Sequence, residues 1–169
     1  MDYPLPEEKI KVPRFEEAGG FYTTPERSRL MAKIRAANTK PEIALRKVLW
    51  GFGLRYRVHL KNLPGKPDLA FPRWRVAVFV DGDFWHGHDW AEKQHKIKQN
   101  KAFWRAKIER NMQRDREVNA RLEQMGWHVL RLWEHEIERD FGASVFRVLR
   151  FVQEKAGAKL GDLLFDAST

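Results

Sequence analysis

Five consecutive apolar residues, Val76-Ala77-Val78-Phe79-Val80, lie between Arg75 and Asp81. A run without alternation suits a strand covered on both faces, so the sheet it belongs to needs helices on either side. Just upstream, Leu63-Pro64-Gly65-Lys66-Pro67-Asp68 combines turn residues with a carboxylate. Strands are expected at Asp68 to Phe71 and Arg75 to Asp81. Asp81, Asp83, His86 and His88 follow the second strand. A hairpin-like pairing that brings Asp68 next to them would build a hard-cation site beside a proton acceptor. That is equipment for metal-assisted hydrolysis of a phosphodiester.

The rest of the chain supplies the covering layers. Residues 1–25 carry four prolines and a pair of glycines with little periodicity and read as an irregular arm that orders on a partner. Helical patterning begins near Glu26. Asn38-Thr39-Lys40-Pro41-Glu42 reads as a polar cap with proline in the first turn, starting a helix that ends at Gly51 to Gly53. Leu54 to Leu60 alternates like a strand, and Lys93 to Gln99 reads as a basic loop. Phe103 to Met125 predicts a long charged helix closed by Gly126. A strand over Trp127 to Trp133 and a helix over about Ala143 to Lys155 follow. The pattern is α/β: one domain over residues 26–156 with a central mixed sheet flanked by helices, then a tail at 157–169.

Lys and Arg number 32 against 23 Asp and Glu, a net charge of +9 in 169 residues. Such a surface attracts polyanions. Seven Trp and eleven Phe interleaved with these cations suit stacking on bases. The absence of cysteine excludes disulfides, thiolate zinc sites and thiol nucleophiles. No run is apolar enough for a signal peptide or membrane span, so a cytoplasmic enzyme without membrane contact is the expectation.

Five segments then carry a family likeness: RSRLMAKIRAANTKPE, LPGKPDLAF, VFVDGDFWHG, FWRAKIERNMQRDREVNARLEQMGW and HVLRLWEHEI, spanning roughly residues 27–139 in order. The chain resembles the very-short-patch-repair (Vsr) endonucleases, a branch of the restriction-endonuclease-like PD-(D/E)xK fold. The resemblance implies a three-layer core and a DNA endonuclease. Asp68 matches the metal-binding aspartate, and His86 the histidine that activates water. Glu42 and Asp115 match acidic residues that support the metal cluster, and Val80 matches a position that offers its backbone carbonyl to the metal. Asp81 is a second candidate ligand or a structural acceptor. It shares a strand face with Phe79 and Asp83. Mg²⁺ is the implied ion, with Mn²⁺ as a substitute. Histidine takes the place of the wider superfamily's lysine, and its ordinary pKa suits proton transfer near neutrality.

Two further implications concern zinc and DNA. Many family members hold a structural zinc with cysteines and histidines where this chain has Asp83, His88, Trp90 and His135. Trp90 cannot ligate and no thiolate is present, so a hydrogen-bonded or ion-paired cluster of Asp83, His88 and His135 is expected instead of zinc. Phe84, Trp85 and Trp104 match aromatics that wedge into the base stack from the major groove. Met31 and Ile34 match apolar residues that approach the minor groove. Lys93, Lys96, Lys98, Lys101, Arg105, Arg110 and Arg114 would track phosphates.

The reading is a Mg²⁺-dependent endonuclease acting as a monomer on double-stranded DNA, with strand nicking at T:G mismatches as the first substrate. The alternatives are a nuclease with another target, serving restriction, phage defence or a mobile element, and a silent DNA-binding module.

Overall fold

A computed structural model describes residues 3–33 and 37–157. The chain divides into two compact units: residues 1–35 with 83–117, and residues 36–82 with 118–169.

The second unit holds the sheet. Its strands are β1 (Leu69–Phe71), β2 (Val76–Asp81) and β3 (His128–Trp133), in the order β1-β2-β3. β1 runs antiparallel to β2, with Leu69 opposite Val78, and β3 runs parallel to it, with Val76 opposite His128. The sheet is therefore mixed, as expected. All six residues of β2 are buried. Strand alternation sends Val76, Val78 and Val80 to one face. There they join Leu69, Phe71, Leu130 and Leu132 in a core closed by Leu45, Leu49, Ile137, Val145, Val148, Leu149 and Val152. On the other face Ala77 and Phe79 pack with Ala70, Leu63, Val118 and Leu122. The unbroken apolar run thus serves two cores at once, and the three-layer α/β architecture follows.

Helices supply both covers. Counting from the amino-terminal end of the chain, α1 is Pro25–Lys33, α2 is Lys40–Gly51, α3 is Trp90–Lys93 and α4 is Lys101–Gln124. α5 (Glu134–Arg139) and α6 (Phe141–Ala156) complete the set. Leu45 and Leu49 come from α2, Ile137 from α5 and the valines from α6. Thr39 caps α2 with Pro41 in its first turn. The Asp140 carboxylate accepts from the Ala143 N–H at 2.9 Å to start α6, and Gly157, in a left-handed conformation, ends it. α4 passes from one unit to the other between Glu117 and Val118.

Three expectations need correcting. Leu54 to Leu60 is not a strand; a single antiparallel bridge joins Arg57 to Ala70. The ladder stops there because Pro67 has no N–H to give and His59 turns left-handed at φ 48°. The basic segment after Trp90 is partly helical, with α3 followed by a 3-10 turn at Gln94–Lys96. α5 was not anticipated. It starts directly at the end of β3, where the Glu136 carboxylate accepts from the Trp133 N–H at 3.2 Å.

The first unit has a different construction. Its arm is irregular apart from a 3-10 turn at Glu17–Gly19, and it is tied to α4 by side-chain hydrogen bonds. The Gln113 side chain donates to the Pro6 and Glu8 carbonyls, both at 2.8 Å, and accepts from the Ile10 N–H at 3.0 Å. Glu109 accepts from the Tyr3 hydroxyl at 2.8 Å and the Trp90 indole at 3.2 Å. Phe15 and Phe21 pack edge-on or tilted on Phe103, with ring centroids 4.8 and 5.6 Å apart. Among the described residues of this unit, the buried apolar side chains are Trp90 and Ile108. Hydrogen bonds and ring edges take the place of an aliphatic core.

Candidate active site

In the sheet unit, the Leu63–Asp68 turn reverses the chain and lays Asp68 beside β2. Gly65 sits at φ +72°, and a Cβ there would lie 2.6 Å from Val118 Cγ1, so the turn can approach α4 only with glycine. Asp68 Oδ2 accepts from the Val80 N–H at 2.8 Å. The Val80 N–H thus faces Asp68, and in a strand the carbonyl of the same residue, the group the resemblance points to, faces the same side. Glu42 is buried at the first turn of α2. Its Oε2 accepts from Arg46 Nη2 and from the Asn38 N–H, each at 2.8 Å.

His59 joins this pair. Its Nδ1 lies 3.9 Å from Asp68 Oδ1 and its Nε2 lies 3.3 Å from Arg46 Nη2. One donor atom each from Glu42, His59 and Asp68 falls within 4.8 Å of the others. Burial pushes the Asp68 carboxyl up to about 7, helped by the negative charges of Glu42 and Asp81 and opposed by the Val80 N–H and Arg46. A desolvated acid beside a second carboxylate and an imidazole is a donor set that a divalent cation would stabilise. These residues fit such an ion.

Asp81 is placed differently. Both of its oxygens accept from Arg131 Nη1 at 2.8 Å, and Arg131 Nε donates to Asn119 Oδ1 at 3.0 Å. The guanidinium also lies 4.5 Å from the centre of the Phe79 ring. Asp81 lies on the Phe79 face and acts there as an acceptor for Arg131.

In the other unit, His86 sits on the loop between β2 and α3. Its Nδ1 and Asp115 Oδ2 are 2.6 Å apart, a short bond to a carboxylate on α4. That bond fixes the ring and leaves Nε2 as the nitrogen for proton exchange. Two contacts seat the loop. Asn111 Nδ2 donates to the Trp85 carbonyl at 2.9 Å, and Gly87 approaches α4 so closely that a Cβ would lie 2.5 Å from Met112 Sδ. Gly87 has φ +72°, so the backbone there also favours glycine. Asp115 is thus a partner of His86.

Of the zinc positions, Asp83 and His88 come together, with His88 Nδ1 at 3.8 Å from Asp83 Oδ1. Asp89 Oδ2 and Lys93 Nζ lie 3.1 and 2.9 Å from the same nitrogen. Trp90 is buried and its indole serves Glu109. His135 lies on α5 in the other unit.

Phe84, Trp85 and Trp104 form one cluster with centroids 5.2–5.8 Å apart. Phe84 is 46% exposed. Met31 is half-buried on α1, and Ile34 lies outside the described residues. Lys96, Lys98 and Lys101 are exposed. Arg105 and Arg110 are ion-paired to Glu109 and Glu117, at 3.0 and 2.7 Å. Sequence reasoning missed His59 and Arg46. His59 sits on the far side of the Pro64-Gly65 turn, at the same height as Pro67, whose carbonyl accepts from the His59 N–H at 3.0 Å. That turn is the signal that could have located it.

Residues 20–92 match the family model described as DNA mismatch endonuclease Vsr. The type II nicking enzyme V.NmeDIP of Neisseria meningitidis serogroup C is 47% identical over 135 residues, covering 79% of this chain and 91% of that protein. V.HpaIIP, a type II nicking enzyme of Haemophilus parainfluenzae, is 47% identical over 68% of this chain and 82% of its own length. The DNA mismatch endonuclease Vsr of Escherichia coli K12 is 38% identical, over 64% of this chain and 69% of its own. With near-half identity across almost the full length of a relative, on a mixed sheet bearing these side chains, the chain belongs to the Vsr family and is a DNA endonuclease.

Proposed function

We propose that the protein is a divalent-metal-dependent nickase of double-stranded DNA, with T:G mismatches as its substrate. The observation that carries this reading is the 2.6 Å bond between His86 and Asp115. A carboxylate holding Nδ1–H keeps the ring in the tautomer whose Nε2 can accept a proton, and it stabilises the imidazolium that results. His86 takes the proton of the water that attacks phosphorus. Asp68 and Glu42 would hold the ion, Mg²⁺ or Mn²⁺. Bound there, it would polarise a phosphoryl oxygen and ease departure of the leaving alkoxide. Phe84, Trp85 and Trp104 would contact unstacked bases, which cost least to separate at a mismatch. The exposed lysines of residues 96–101 would neutralise phosphates.

Mismatch specificity is supported by the name of the E. coli relative. The names of the relatives with higher identity favour a second reading, a nickase with another target. A strand-resolved cleavage assay in Mg²⁺ on matched and T:G-mismatched duplexes separates the two. Nicking confined to the mismatched duplex and lost in Asp68→Ala and His86→Ala establishes the first reading. Equal cutting of matched DNA overturns it in favour of the second.

A further inference from the structure

We propose that His59 is a third donor to the metal site of Glu42 and Asp68, and that its nitrogen tilts the site toward Mn²⁺ over Mg²⁺. The inference rests on the reading of Asp68 as a metal ligand and goes beyond it.

The backbone holds His59 in place. Arg57 and Ala70 exchange two hydrogen bonds of 2.8 Å, and the His59 N–H donates to the Pro67 carbonyl. The imidazole is thereby set directly across from Asp68, with Nδ1 3.9 Å from Oδ1. Two ligands of one ion typically stand about 3 Å apart when each is some 2.1 Å from the metal at octahedral angles, so a small closure completes the set.

The contacts of the ring set its hydrogen-bonding roles. Arg46 is buried, and a guanidinium can only donate, so its Nη2 at 3.3 Å makes His59 Nε2 an acceptor. The ring proton then resides on Nδ1. When Nδ1 coordinates, that proton moves through solvent to Nε2, where Asn38 Oδ1 stands 3.5 Å away to accept it. A ligating histidine whose other N–H meets an amide oxygen has the support that metal-bound imidazoles require. Arg46 keeps its bonds to Glu42 and to Asn38, so it gives up one contact.

Donor chemistry sets the preference. Mg²⁺ favours an all-oxygen shell and keeps its water, whereas an imidazole suits the first-row transition ions. Two carboxylates with one imidazole therefore make a mixed site, better matched to Mn²⁺.

The test is Mn²⁺ binding to the whole protein without DNA, read by the electron-spin-echo coupling of bound Mn²⁺ to ¹⁴N and by titration of free Mn²⁺. Wild type should show one directly coordinated nitrogen. His59→Asn keeps a residue tolerant of the left-handed backbone. It should abolish that coupling and weaken Mn²⁺ binding roughly tenfold or more, the scale on which even residues behind a ligand act. Mg²⁺ affinity, from competition, should move much less. Mn²⁺ bound through Asp68, lost in Asp68→Asn, but with no nitrogen coupling in wild type would overturn the role of His59 and leave the metal site standing. A coupling that survives His59→Asn overturns it too. Mn²⁺ binding unaffected by Asp68→Asn would instead sink the underlying reading. An absent nitrogen coupling in the wild-type spectrum overturns the role of His59 even if a variant fails to fold.

Discussion

Asp68, Glu42 and His59 are set on elements that close two apolar cores, with β2 buried along its whole length. His86 and Asp115 belong to a unit held by polar side chains, where Gln113 alone bonds three arm residues and Glu109 gathers Tyr3, Trp90 and Arg105. The sheet unit can bury an acid until its carboxyl titrates near neutrality. The other unit keeps its histidine half-buried and hydrogen-bonded to a carboxylate. Desolvation prepares one group and a hydrogen bond prepares the other, and each needs a different sort of scaffold.

Removing the chemistry gives the largest effects. His86→Ala should lower the DNA-cleavage rate by roughly 10²–10⁴-fold, the span of general-base catalysis, without moving the thermal midpoint much. Asp68→Asn should remove activity as well, yet stabilise the metal-free protein. The sign follows from proton linkage: a carboxyl raised from its ordinary 3.8 to about 7 binds its proton more tightly when folded, so stability falls as pH rises between those values. Melting in EDTA should show the Asn variant gaining over wild type from pH 5.5 to 8, by up to a few kcal/mol. No gain at pH 8 would mean that Asp68 is not strained by burial. The same proton must leave on metal loading, so Mn²⁺ affinity should drop about tenfold per pH unit below 7.

Asp115→Asn comes next, at roughly 10–100-fold in rate, because His86 keeps its place but loses the charge behind it. The acidic limb of the pH–rate profile should also shift downward, which a merely structural role would not produce. For stability, Phe71→Ala should cost about 3–5 kcal/mol in chemical denaturation. Gln113→Ala should instead free the arm, seen as faster proteolysis near residues 6–10 with about 1–2 kcal/mol lost. Equal global destabilisation by both would erase the contrast between the units. The smallest effect is expected of Lys98→Ala, which should reduce the slope of DNA affinity against salt by about one.

The central strand and the helices around it were legible because burial on two faces leaves an unbroken apolar run, and long helices carry their own caps and stripes. The carboxylate positions were legible through motif likeness. What escaped depends on pairing across distant segments. Arg131 reaches Asp81 only because β3 lies parallel to β2 with Phe79 opposite Arg131, a register that no local pattern specifies. The alternation of residues 54–60 looked like a strand because periodicity does not reveal that Pro67 denies the neighbouring chain a donor. α5 was hidden in a polar WEHEIER stretch whose single buried residue is Ile137. Asp115 looked like part of a solvated helix face until His86 was found against it.

Gly87 carries a consequence for variation at this locus. All other amino acids bring a Cβ, and that atom would press on Met112 while the backbone sits at φ +72°. Every coding change at this codon carries a cost, since even alanine must adopt a left-handed φ and push the Met112 side chain aside. Position 87 therefore has few neutral neighbours to drift through, and a directed-evolution library that randomises it spends its diversity on clones with a strained loop. Retargeting such an endonuclease is better begun at exposed Phe84, three residues away, where a new side chain meets solvent before it meets the scaffold.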